Sequence, residues 1–338
     1  MTTLLMKKPA PLLGVDISSS AIRLIELTAS ARSQRVEAYA CESLPEGVVV
    51  DQTIKDANRL SQMIARLIQR SRSRIRQAAT LVSGTSVITK VITVDDLASD
   101  VELEHLIQLE AGAHIPYPLE DVALDFDVLG PSSEPDRWRV LLVASRREEV
   151  EALDDVLQMA GLDAQVVDVE ALVLERALAL IAHQYDAQAD DAVALVDLEP
   201  QRLTLNVLQQ GHIVYRREQA LPSPPLTGLS ASTAAEPVSG SLGMAQDMIE
   251  TIQQNLQFFY ASTSASPISG VLLGGSSDGL PVLADALSEA IGLPAELVDP
   301  VAHLECAPRV NRQQLANDSS ALMRVCGLAL RSFDHGHR

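Results

Sequence analysis

At 338 residues the chain has room for two domains or two lobes, and with aromatics at 3% against 47% hydrophobic residues its core must come from Leu, Val, Ala and Ile, as in α/β proteins with buried strands. A formal net charge of −19 argues against nucleic acid as a partner, because that binding rests on neutralising phosphates. The charge is uneven: residues 1–90 carry 13 Lys and Arg against 7 Asp and Glu, so the acidity lies in the remainder.

In chain order, the first element is an apolar strand ending at Asp16, turned by Ile17-Ser18-Ser19-Ser20 into an alternating strand that runs to Leu27. Residues 35–40 alternate as another strand. Leu60, Met63, Ile64, Leu67 and Ile68 mark one face of an amphipathic helix. Arg66, Arg70, Arg72, Arg74 and Arg76 cluster at its end. They read either as solvated cations suited to the helix dipole or as a contact for an anionic membrane face or acidic partner. Residues 79–82 and 87–94 read as strands broken by Ser83-Gly84. Ser99-Asp100-Val101-Glu102 is a capping box for a helix through Leu103, Leu106, Ile107 and Leu109, which must stop before Ile115-Pro116-Tyr117-Pro118. Residues 122–129 and 138–144 read as a strand pair. A second capping box at 145–148 opens a helix that ends at Gly161. A strand at 166–169 leads into a helix from Glu170, which serves as its start cap, to about His183.

The second half begins with a hairpin over 193–217. Residues 221–243 are rich in Pro, Ser, Thr and Gly and lack periodicity, which marks an irregular connection. Met248, Ile249, Ile252, Leu256 and Phe259 then share a helix face. Val271-Leu272-Leu273 is a buried strand running into Gly274-Gly275-Ser276-Ser277 and a helix with Pro281 near its first turn. The last helix, 321–330, carries the small residues of Cys326-Gly327-Leu328-Ala329. Cys41, Cys306 and Cys326 are odd in number and lack metal-ligand spacing, which points to no disulfide framework and a reducing compartment. The first ten residues lack a signal-peptide apolar stretch, and no window reaches the roughly 18 apolar residues of a membrane span.

Strand, Asp, turn, strand thus occurs twice, with Asp16 and Asp197 181 positions apart. A turn of small residues lets backbone N–H groups converge on an anion, with Ser hydroxyls as further donors. An Asp at the strand end can hold Mg²⁺, which bridges to phosphate. One copy alone reads as a hairpin whose Asp caps its own turn; two copies, one per half, favour a ligand gripped between lobes.

In this order the motifs resemble the actin, sugar-kinase and chaperone ATPase superfamily. More narrowly, 13–20, 115–122 (beginning Ile115-Pro116-Tyr117-Pro118), 166–177 (with Val169-Glu170-Ala171-Leu172) and 326–334 resemble the PilM family of type IV pilus inner-membrane platform proteins, which is related to FtsA. The resemblance implies an α/β, actin-like (ribonuclease H-like) fold of two lobes. The first lobe would comprise 11–85 and 162–187, with a small subdomain inserted at 86–161. The second would comprise 188–221 and 265–332, with a reduced small subdomain at 222–264.

The resemblance further implies a cytoplasmic adaptor of pilus assembly and twitching motility, peripheral to the inner membrane through its partners. It would bind the N-terminal tail of a PilN-like membrane protein and contact other platform or motor components. ATP with Mg²⁺ would lie between the lobes, with Asp16 and Asp197 facing the metal. Ile17, Ser18, Ser19, Ser20 and Arg23 would face the phosphates, and Gly274, Gly275 and Ser276 the nucleoside. A groove between the inserted subdomain and the first lobe would take the tail. Val87, Ile88, Thr89 and Val91 are the expected wall, an edge open to an extended peptide. Glu199-Pro200 departs from the family pattern: it sets a like charge and a residue without N–H beside the phosphates, so weakened or lost nucleotide binding is expected. No catalytic residue is assigned. A nucleotide-binding scaffold is the favoured reading and a slow ATPase or sugar-type kinase the alternative. An FtsA-like filament former is disfavoured by the short polar ending.

Overall fold

The computed structural model describes residues 11–29, 34–84, 87–95, 100–185, 190–221, 239–263, 266–276 and 279–333. Strands β1 (Leu13–Ile17), β2 (Ala21–Ala29) and β3 (Gln34–Ser43) form an antiparallel meander, followed by a two-stranded ribbon of β4 (Val49–Val50) and β5 (Thr53–Ile54). Helix α1 (Ala57–Ser71) buries the predicted face of Leu60, Met63, Ile64, Leu67 and Ile68. Asp56 caps it, accepting the Arg59 N–H at 2.9 Å, and Arg72 ends it in the left-handed region at φ 58°. Arg66 and Arg70 pair with Glu42 at 3.4 and 2.8 Å, so part of the basic cluster faces a carboxylate of β3. Strand β6 (Gln77–Val82) then lies parallel to β1.

Next come β7 (Ile88–Asp95), α2 (Asp100–His114), β8 (Val122–Pro131), β9 (Arg137–Arg146), α3 (Arg147–Met159), β10 (Asp163–Val169) and α4 (Glu170–Ala177). Strands β7, β9 and β8 form a separate antiparallel sheet in that order, which leaves β7 at an edge. Helix α2 contributes Ile107 and Ala111 to the core of this insert, together with Ile115 just beyond it; Leu109, predicted on the same face, is 70% exposed. Its predicted cap, Ser99, lies outside the described residues. The second capping box does not form: β9 continues through Arg146, which becomes the N-cap of α3, and Ser145 is a strand residue whose hydroxyl donates to Glu149 at 3.4 Å. Val156 and Leu157 of α3 pack into the same core as α1, and β10 pairs with β6 in parallel.

The second lobe consists of β11 (Ala192–Glu199), β12 (Arg202–Gln209), β13 (His212–Ala220), α5 (Ser239–Ser262), β14 (Ile268–Gly275), α6 (Leu280–Ile291) and β15 (Ala295–Leu297). Ile249, Ile252, Leu256 and Phe259 of α5 are buried with the inner faces of this sheet and α6. The irregular stretch expected over 221–243 gives way to α5 by Ser239; 222–238 lie outside the described residues. The strand orders of the two sheets correspond, β10-β6-β1-β2-β3 in one and β15-β14-β11-β12-β13 in the other. The chain then returns to the first lobe: β16 (Glu305–Cys306) adds in parallel to β3, and α7 (Arg312–Asn317) and α8 (Met323–Leu330) follow.

Helices α4 and α8 lie between the sheets and touch each other closely. A Cβ at Gly14 would sit 2.5 Å from the Val325 carbonyl oxygen, and one at Gly327 would sit 2.1 Å from that of Val173. Glycine at these two positions lets α8 press against β1 on one side and α4 on the other. Among the described residues no helix is long and apolar enough to cross a membrane.

Candidate functional site

The β1–β2 and β11–β12 hairpins point their ends into one cleft between the lobes. Asp16 and Arg23 are opposite one another in the first ladder, and Asp197 stands beside Gly274 where β11 pairs with β14. The cleft therefore brings together Asp16, Arg23, Asp197, Gly274, Gly275 and Ser276. Arg23 spans it: one guanidinium nitrogen pairs with Asp16 at 3.5 Å and another donates to the Ser276 hydroxyl of the other lobe.

The centre of the cleft is occupied by Arg324, which α8 projects from its first turn. Its Nε lies 3.3 Å from Asp16 Oδ1, Nη1 lies 3.2 Å from Glu170 Oε1 and 3.7 Å from Asp197 Oδ2, and Nη2 lies 2.5 Å from Glu199 Oε1. The side chain is only 8% exposed. Arg202 joins Glu199 at 2.8 Å to Glu170 at 3.3 Å, and Arg216 joins Glu170 at 2.5 Å to Glu218 at 2.7 Å. Four arginines and five carboxylates thus link β1, β2, β11, β12, β13, α4 and α8. Burying any one of these charges alone costs several kcal/mol; paired and hydrogen-bonded, they become tolerable.

The proton affinities follow from this arrangement. Burial disfavours the Glu170 carboxylate, but Arg202, Arg216 and Arg324 outweigh it and hold the group well below the usual carboxylate range. Glu199 is lowered in the same way, burial being outweighed by Arg324 and Arg202. Asp197 goes the other way. Burial pushes it up to about 6, Arg324 pulls against that, and the like charges of Glu199 and Glu170 add to the rise.

The small-residue turn engages Ser18 and the N–H groups of Ser20 and Ala21 internally, and Ser19 lines a larger cavity. Ser18 Oγ donates to the Ala21 carbonyl at 3.1 Å and accepts the N–H groups of Ser20 at 3.3 Å and Ala21 at 3.0 Å, while the Ser18 N–H donates to the Ala21 carbonyl at 3.0 Å. Ile17 continues β1 and packs its side chain into the first-lobe core. Gly275, at φ +132°, would bring a Cβ to 2.2 Å from the Leu198 carbonyl oxygen, and a Cβ on Gly274 would meet Asp197 Oδ1 and the Ser320 carbonyl at 3.2 Å. Gly275 is therefore required by strand and loop packing, and Gly274 sits where a side chain would be tight. Around Arg324 the space left, lined by Arg23, Asp197, Glu199, Gly274, Ser276 and Arg324, is a cavity of about 20 Å³.

A larger cavity of about 440 Å³ lies at the junction of the insert with both lobes. Tyr117, Arg146 and Glu149 of the insert face Ser19, Asp51, Gln52, Ser83 and Gly84 of the first lobe and Glu199, Gln201, Arg202, Glu218, Gln219 and Ala220 of the second, so the cavity borders the charge network at Glu199, Arg202 and Glu218. The Arg146 guanidinium lies 5.1 Å from the Tyr117 ring centroid, a cation–π contact at its rim. Val87, Ile88, Thr89 and Val91 stand at the start of the β7 edge and are not among the residues lining this cavity. Val91 is 51% exposed, whereas Val87 and Ile88 pack inward.

Sequence reasoning brought Asp16, Arg23, Asp197 and Ser276 to one place and missed Arg324, Arg202, Arg216 and Glu218. It read Glu170 only as a helix start. A signal was present: Arg324 is the lone charge in the apolar run Leu322-Met323-Arg324-Val325-Cys326, and a lone charge in an apolar helix needs a buried counter-charge.

The chain is similar to known proteins along most of its length. A family model described as "Type IV pilus assembly protein PilM" matches residues 14–228 and 243–333. The solved structure titled "PilM-PilN type IV pilus biogenesis complex" is 24% identical at a TM-score of 0.75, with 96% of this chain and 99% of that chain covered. The ethanolamine utilization protein EutJ from Carboxydothermus hydrogenoformans is 16% identical at a TM-score of 0.53, with 95% of this chain and 90% of that chain covered. The two-lobed α/β architecture is actin-like. With the family model spanning both lobes and both Asp-bearing hairpins, the chain belongs to the type IV pilus assembly protein PilM family.

Proposed function

We propose that this protein is a cytoplasmic adaptor of the type IV pilus platform that captures the N-terminal cytoplasmic tail of a PilN-like membrane protein. The observation that carries the reading is the open cavity of about 440 Å³ where the insert meets both lobes. Its mixed lining of Tyr117, Arg146, Asp51, Glu149 and Gln52 offers an aromatic face and charges of both signs, suited to an extended peptide. The free edge of β7 begins beside it and supplies unpaired backbone groups; Val87, Ile88, Thr89 and Val91 extend the docking surface along that edge. A membrane association of the adaptor then comes through its partner.

Titration of a synthetic tail from a PilN-like partner against the full chain tests this reading. Saturable binding, weakened by Arg146→Ala with the fold intact, is the expected result. A folded protein that shows no binding overturns it. Asp16 and Asp197, the residues expected to face a metal, each pair with Arg324.

A further inference from the structure

We infer that the guanidinium of Arg324 takes the place of a divalent cation between the lobes, so that this cleft is closed by the chain's own charges and does not take a magnesium nucleotide. The inference is independent of tail capture and stands or falls on the interlobe cleft alone.

The position comes first. Asp16 and Asp197, one from each Asp-bearing hairpin, would converge on a metal; here they converge on one guanidinium, at 3.3 and 3.7 Å. Asp16 Oδ1 is buried and accepts no hydrogen bond, so its compensation is the ion pair with Arg324. A guanidinium suits the task because it stays charged at every accessible pH and presents five N–H donors in a plane, enough to meet several carboxylates at once. Glu170 and Glu199 complete the set around it.

Charge and space point the same way. The arginines that would receive phosphate, Arg23, Arg202 and Arg324, are each engaged with carboxylates. A triphosphate would displace those pairs and leave buried carboxylates beside its own negative charge. In the Ser18 turn the Ser18 hydroxyl and the N–H groups of Ser18, Ser20 and Ala21 are in internal bonds, while Ser19 faces the larger cavity. Around Arg324 itself the remaining cavity of about 20 Å³ holds about one water, and the cavity of about 440 Å³ opens only on the far side of Glu199 and Arg202. Arg324 cannot easily withdraw, because Gly14 and Gly327 fix its helix against β1 and α4 at backbone contact.

The test uses the full chain, freed of metal with EDTA. Mg²⁺-ATP is titrated by calorimetry to millimolar concentration, and the melting temperature is read with and without it. No saturable binding and an unchanged melting temperature are expected. Micromolar binding, with the rise of several degrees that a ligand far above its Kd produces, overturns the inference. The variant Arg324→Ala is then melted in EDTA and in millimolar Mg²⁺ or Mn²⁺ alone. It is expected to melt below the wild type and to recover part of the loss with the metal, a response that the wild type lacks. No recovery overturns the assignment of Arg324 to the cation's place. Should this variant fail to fold, the wild-type titration decides: binding refutes the inference and its absence supports it.

Discussion

The two clefts of this protein differ in how far they satisfy themselves. Between the lobes, carboxylates and arginines pair with each other and leave about 20 Å³. Beside the insert, residues of the insert and of both lobes surround about 440 Å³. The first cleft has the paired aspartates of a ligand site and the physics of an interior; the second is lined by the far side of the same turns, with Ser19, Glu199 and Gln201, and by Tyr117 of the insert, and has the physics of a binding site. Equivalent loops in an actin-like fold therefore do not by themselves specify an equivalent ligand, since function resides in the side chains set on the fold.

The sharpest way to break the comparison is to unpair the closed cleft. Arg324→Ala leaves Asp16, Glu170, Asp197 and Glu199 without their shared cation, and the expected loss is about 3–5 kcal/mol of unfolding free energy by chemical denaturation. A loss below about 1 kcal/mol would mean that solvent reaches these groups and the cleft is open. Gly327→Ala is next. The new Cβ would meet the Val173 carbonyl oxygen, so α8 must move off α4, at about 1–3 kcal/mol. Unchanged thermal unfolding would contradict the tight helix contact.

Asp197→Asn sharpens the same contrast with the opposite sign. In the folded protein Asp197 titrates at about 6, above its ordinary 3.8, so its ionisation opposes folding. The penalty is complete above pH 6, shrinks as pH falls through the window between the two values, and is gone below it. The Asn variant is expected to be more stable than the wild type by about 1–3 kcal/mol in mildly alkaline buffer and to lose that advantage as pH drops towards 4. A variant less stable at all pH values would show that the Asp197 charge is needed. The smallest effect belongs to the open cleft. Val91→Asp on the exposed β7 edge should leave the melting temperature unchanged and weaken tail binding by about three- to tenfold, within the ordinary range for a peripheral contact. Unaltered affinity would remove β7 from the docking surface.

Much of the fold was legible because its signals are local. Apolar strands, the face of α1, the prolines after α2 and the repeated Asp turn each lie within a few consecutive residues. The actin-like reading followed from their order. The closed cleft was not legible in this way: Asp16, Glu170, Glu199, Arg202, Arg216 and Arg324 are spread over almost the whole chain, and only the folded structure shows which charges neutralise which. Residue type also misled at single positions. Ser18 and Gly275 have the chemistry of an anion cradle, yet one closes its own turn and the other yields to the Leu198 carbonyl. Glu199 read as a hindrance to phosphate, while in the fold it is a partner of Arg324 and Arg202.

The return of the chain to its starting lobe has a consequence for biosynthesis. The Leu12 N–H donates to the Ser332 hydroxyl at 2.8 Å, β16 completes the edge of β3, and α8 covers β1. Strands β1 to β3 thus wait for residues that follow 270 to 320 positions later in the chain before their apolar surface is sealed. Contacts so distant along the chain make assembly slow and leave the nascent protein prone to sticking, so its folding should respond to chaperone supply more strongly than its final stability would suggest.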